Sequence, residues 1–149
     1  FCPSYVQTWN QDPAPEVLPA EEPSHSFWGY KNFATGMIQP LLLAEIPTAK
    51  AWEVFAWLPF GGWNCCPDTP ALMSVSRRWR ERYGAVPAVV TSSTLEYRIP
   101  FPAGPEAVWE LAKEQSVFCP DSLDTDADSP LAKLAASLVG ATVWSFWWD

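Results

Sequence analysis

From Ala51 onward the apolar positions fall into short, regular patterns. Trp52, Val54, Ala56 and Leu58 alternate with Glu53, Phe55 and Trp57, which predicts a strand apolar on both faces and therefore central in its sheet. Phe60 to Asp68 reads as a loop punctuated by Gly61-Gly62. Thr69-Pro70 then offers an N-cap followed by proline at the first helical position. Leu72, Val75, Trp79 and Tyr83 recur at helical spacing along one face, and Gly84 stands where a helix stops. Val86 to Thr91 predicts a second strand, and Ser92-Ser93 turns into a third. There Leu95, Tyr97 and Ile99 alternate with Glu96 and Arg98, so one face is buried and the other wet.

Gly104-Pro105-Glu106 opens the next helix, with Val108, Leu111, Ala112 and Gln115 inward. Ser129-Pro130 starts another, with Leu131, Leu134, Ala135 and Leu138 inward and Gly140 after it. The chain closes on Thr142 to Trp148, a strand in which Trp144, Phe146 and Trp148 point the same way. This order predicts an α+β fold. It matches a ferredoxin-like βαββαβ arrangement with an extra helix before the last strand, an antiparallel sheet carrying its helices on one face.

Residues 1–45 read differently. Residues 1–50 hold seven of the sixteen prolines and little periodicity, so the first 45 are expected to form a Pro-rich N-terminal arm or partial lead-in. Pro13 to Pro23 reads as extended, whereas Phe27-Trp28-Gly29-Tyr30 brings aromatics expected to lie against the main body. A short strand is read around Ile38 to Leu43. The first displayed residue is Phe1, so a lost leader stays open as an alternative.

The net charge of −8 argues against nonspecific nucleic-acid binding, which needs clustered Lys and Arg, and favours a basic protein if there is a partner. No apolar run approaches the roughly 20 residues of a membrane helix. Four cysteines are too few for a disulfide scaffold, and reduced thiols in a cytoplasmic protein are the expectation. A bridge from Cys119 to Cys65 or Cys66 is the geometric alternative. Ten tryptophans either fill a core or build a platform for sugars or bases, the core being commoner.

Two Cys-Pro-Asp triplets, Cys66-Pro67-Asp68 and Cys119-Pro120-Asp121, are the candidate chemistry. Each also works as a corner: Asp68 sits where it can bond helix N–H groups, and Pro120 stops a helix. A zinc site lacks CxxC spacing and a well-placed histidine, since His25 lies in the arm. A cysteine nucleophile lacks a base for the same reason. Asp124, Asp126 and Asp128 imitate the start of a calcium loop, but Ser129 and Ala135 occupy the positions for its glycine and glutamate. No metal and no cofactor is therefore expected. Arg77, Arg78, Arg80 and Arg82 form either a phosphate-docking patch or a solvated helix face.

The segments AWEVFAWLPFGGWNCCP (51–67), RRWRERYGA (77–85), LAKEQSVFCPD (111–121) and VWSFWWD (143–149), in this order, resemble the bacterial domain of unknown function 4253 (DUF4253). The resemblance covers roughly residues 46–149 and implies a domain boundary near residue 46. It places the family's Trp-Asn-x-Cys-Pro segment on Trp63, Asn64, Cys66 and Pro67, its Glu-Gln helix on Glu114 and Gln115, and its Cys-Pro-Asp on Cys119 to Asp121. Cys65 stands where the family has an acidic or other polar residue. The family brings no established activity.

The first expectation is a small, acidic protein-binding module of inhibitor or immunity type, meeting its partner through the acidic loop 121–128 and exposed aromatics. The alternatives are a hydrolase or transferase with an aromatic-lined pocket and a small-ligand sensor domain. The candidate site comprises Trp63, Asn64, Cys66, Asp68 and Glu114, with Cys119, Asp121, Trp147, Trp148 and Asp149. It becomes chemical only if Asn64, Glu114 and Asp121 share a cleft.

Overall fold

The computed structural model describes residues 13–32 and 34–148. Among these the fold is α+β. Helix α1 (Thr69–Tyr83) leads into strands β1 (Val86–Val90) and β2 (Thr94–Arg98); α2 (Val108–Phe118) and α3 (Pro130–Leu138) precede β3 (Val143–Trp147). The sheet is antiparallel in the order β1-β2-β3.

The strand expected over residues 51–58 is not formed: Ala51–Ala56 is a 3-10 helix, so the βαββαβ order lacks its first strand among the described residues. Local bonds decide this. Lys50 and Glu53 pair at 3.2 Å across an i,i+3 spacing that a helical turn brings together. Thr48 donates its hydroxyl to Glu53 at 2.6 Å. An apolar run this short has no period to hold it extended. No strand forms over Ile38 to Leu43 either, where Ile38 makes one isolated bridge to Lys31. The extra helix before the last strand is present as α3.

Asp68, one residue earlier than expected, is the N-cap of α1 and accepts from the Ala71 N–H at 3.1 Å. Gly84 ends that helix in the left-handed region, at φ 69°. Gly61 has φ 89°, and a Cβ there would collide with the Pro67 carbonyl, so the Gly61–Pro67 loop closes only with glycine. Pro87 lies in edge strand β1 beside a register shift, where its missing N–H removes no ladder bond from the sheet centre.

The inner sheet face carries Leu95, Tyr97, Trp144 and Phe146, all buried against α1 and α2. Trp79 of α1 is its hub. Its ring stacks on Phe146 at 5.4 Å and meets Tyr97, Phe118 and Trp144 edge-on. Trp79, Trp144 and Trp148 are thus core, whereas Trp28, Trp57 and Trp147 stay more than half exposed.

The outer face is not the wet face the alternation implies. Glu96 is wholly buried there, because the arm folds across the sheet. The Ser24 carbonyl accepts from the N–H groups of Thr142 and Val143, which covers the start of β3. Leu18 packs against the core, and Glu21 approaches Lys133 at 3.9 Å.

Candidate functional site

The cysteines of the two Cys-Pro-Asp triplets are both buried in the core, while Asp68 and Asp121 stay exposed. The Cys66 and Cys119 thiols are buried close enough for charge on one to raise the pKa of the other. The Trp148 ring packs edge-on against Phe60 at 5.8 Å and Phe118 at 5.6 Å. Trp63 stacks edge-on to Phe60, and Cys119 donates its S–H to the Trp147 carbonyl at 3.1 Å. The three motif segments therefore converge as packing. Burial pushes both thiols up to about 12, only partly opposed by the Gly62 backbone at Cys66 and the Trp147 backbone at Cys119. Neither is poised as a nucleophile.

Both thiols are free, so the Cys119 bridge to Cys66 is absent. Cys65 corrects the expectation of reduced thiols: it is disulfide-bonded. Adjacent residues in the turn face different ways, which leaves Cys65 half-buried and reachable while Cys66 is sealed. In native protein at pH 8 a thiol at about 12 ionises on the order of one part in ten thousand. Iodoacetamide is expected to leave Cys66 and Cys119 unlabelled until denaturant is added, as read by intact mass. Stoichiometric native labelling at either would overturn this.

The remaining candidates point elsewhere. Asn64 is exposed at φ 47° in the turn between Trp63 and Cys66. Asp68 is a helix cap, and Asp121 stands exposed on a 3-10 turn, Pro120–Ser122. Asp149 lies outside the described residues.

Glu114 faces the α1 arginines: Arg78 donates at 2.6 and 3.1 Å, Arg82 at 3.2 Å, and the Trp79 indole at 3.1 Å. Burial alone raises its pKa. The hydrogen bonds from Arg78 and Trp79 and the charges of Arg78 and Arg82 outweigh burial, so the net shift is downward. This arrangement clamps α2 to α1 rather than moving protons. A depressed native pKa stabilises above the ordinary glutamate value of about 4.3 and loses that contribution as pH falls through the native value. Glu114→Gln is therefore expected to lower stability at pH 7 while flattening its acid dependence below about pH 4.5. Urea midpoints measured from pH 3 to 7 check this, and parallel curves for both proteins would contradict it.

The arginine patch is likewise committed. Arg77 pairs with Glu81 at 2.9 Å, and Arg80 donates to the Gly84 carbonyl. His25 bonds the Thr142 hydroxyl at the start of β3, whereas Cys119 bonds at its end. A strand of that length separates them by about 17 Å. Asp124 accepts from Lys133 at 2.8 Å. Among the described residues no three metal-ligating side chains come together. No described helix is long and apolar enough to cross a membrane.

A different place emerges from the arm. A groove of about 670 Å³ opens between the arm and the outer sheet face. Trp28, Lys31 and Gln39 line it from the arm, the Thr91–Thr94 hairpin from one side, and Ser145 and Trp147 from β3. At its floor the Glu96 carboxylate accepts from the Trp28 N–H at 2.9 Å, the Gly29 N–H at 2.9 Å and the Ser145 hydroxyl at 2.7 Å. Gly29 permits this approach, since a Cβ there would sit 3.1 Å from both the carboxylate and Val89. Lys31 lies over the Trp28 ring at 4.5 Å. The sequence alone missed this group. Its one signal is a glutamate inside an apolar strand, and only the β2–β3 register sets Glu96 opposite Ser145.

No curated protein and no solved structure matches the chain. The three segments that converge in the core lie within a family model that matches residues 42–149, and the chain belongs to that family, described as a domain of unknown function (DUF4253).

Proposed function

We propose that this chain is a recognition domain of inhibitor or immunity type that binds a basic protein. What carries the reading is the arm. Leu42 and Leu43 stand 98% and 103% exposed, with Leu41, Ile38 and Met37 also open. An apolar row of this kind on an acidic chain suits a partner offering an apolar socket rimmed by Lys and Arg. The acidic loop 121–128 carries further negative charge for a basic partner. A Leu42→Asp, Leu43→Asp double variant is expected to keep its thermal midpoint and lose the partner. Side-by-side crosslinking capture with wild type tests this, and an identical set of captured proteins sinks the reading.

The hydrolase or transferase reading has less support, because Glu114 is neutralised by arginines and both free thiols are sealed. A second reading, a small-ligand sensor, is favoured by the groove over Glu96. Cytoplasmic placement is a proposal against which the Cys65 disulfide weighs, since such bonds persist in oxidising compartments.

A further inference from the structure

We infer that the groove between the arm and the outer sheet face is a binding site for a short neutral oligosaccharide. The inference rests on the second reading above, that the groove receives a small ligand. Its lining alternates two kinds of surface. Trp28 and Trp147 keep 62% and 52% of their surface exposed, whereas Trp79, Trp144 and Trp148 are packed away. Between them no hydrogen bond within the described residues engages the hydroxyls of Ser92, Ser93 and Thr94.

A pyranose has the complementary alternation. Its C–H face lies on an indole, and its rim of hydroxyls both donates and accepts. Gln39 extends the polar rim on the arm side, and the Lys31 ammonium lies over the Trp28 ring at 4.5 Å, beside any sugar stacked there. At about 670 Å³ the groove is within the ordinary range for small-ligand sites.

Other ligand classes fit less well. Nucleic acid needs a cationic track beside its stacking rings, and the groove offers Lys31 in a chain of net charge −8. A cationic ligand would seek Glu96, but three donors already hold that carboxylate and it is fully buried. Glu96 is instead a positioning residue. By gripping two successive N–H groups it sets the Trp28 indole at the groove mouth.

The test is calorimetric titration of the full chain with neutral glucose, N-acetylglucosamine and mannose oligomers of two to four units, alongside a Pro-rich peptide. At least one sugar series is expected to bind saturably. Trp28→Ala and Trp147→Ala should each weaken that binding about tenfold, whereas Trp57→Ala outside the groove leaves it unchanged. Trp147→Ala removes a half-exposed ring, and an unchanged thermal midpoint confirms that the variant folds. Peptide binding with this tryptophan dependence, and no sugar binding, would overturn the saccharide and keep the groove as a site. Failure of every probe, or sugar binding indifferent to both tryptophans, would overturn both.

Discussion

Replacing Trp79 with alanine is expected to remove a large part of the folding stability. The side chain is fully buried and touches rings from α2, β2 and β3: Phe118, Tyr97, Trp144 and Phe146. Truncating a buried Trp costs about 3–5 kcal/mol in lost transfer energy and residual cavity. Its indole N–H also disappears from Glu114, which then keeps only its arginine donors. Domains of this size hold about 5–15 kcal/mol in total, so the variant should sit near the edge of folding. Trp79→Phe keeps an aromatic ring against Phe146 and should lose less. Urea denaturation of both variants gives the comparison, and a loss below about 1 kcal/mol for alanine would show that Trp79 is not the hub.

Replacing Glu96 with glutamine is expected to release the arm while leaving the core folded. Glutamine has nearly the same shape, but its amide NH₂ must face one of the three donors that now point at the carboxylate. Charged hydrogen bonds of this type contribute about 1.5–3 kcal/mol each, and a donor facing a donor is worse than none. The cheapest escape is for Trp28 and Gly29 to leave the sheet and bond water. Amide exchange at Trp28 and Gly29 should therefore speed up at least about tenfold, with protease cleavage appearing nearby. Amides of β2 and β3 should remain protected. Uniform loss of protection across the sheet would mean that Glu96 supports the core itself, and no change at Trp28 would mean that it does not hold the arm.

Helices were the most legible feature of the fold. Leu72, Trp79 and Tyr83 repeat at helical spacing, and Pro70 and Gly84 bracket them, so α1 needed no tertiary information. The last strand was legible because Trp144, Phe146 and Trp148 alternate with exposed positions. Residues 51–56 were not, since apolar residues on every side carry no period. A Thr48–Lys50–Glu53 network chose the helical turn. The cysteines and Glu114 stand out in the sequence, but what they do depends on their neighbours. Cys66 and Cys119 are sealed by the same aromatic core, and Glu114 meets Arg78 and Arg82 only because the fold brings those side chains of α1 and α2 together.

Local order thus followed from local residues: cap, period and stop act within a few positions, and the chain carries them wherever it goes. The burial of Glu96, the groove above it and the sealing of two thiols came from contacts between segments tens of residues apart. No local pattern encodes such contacts, because a carboxylate on an alternating strand is wet or dry according to what folds over it. Here Trp28 and Gly29 fold over it, and that single docking turns an exposed sheet face into the floor of a site.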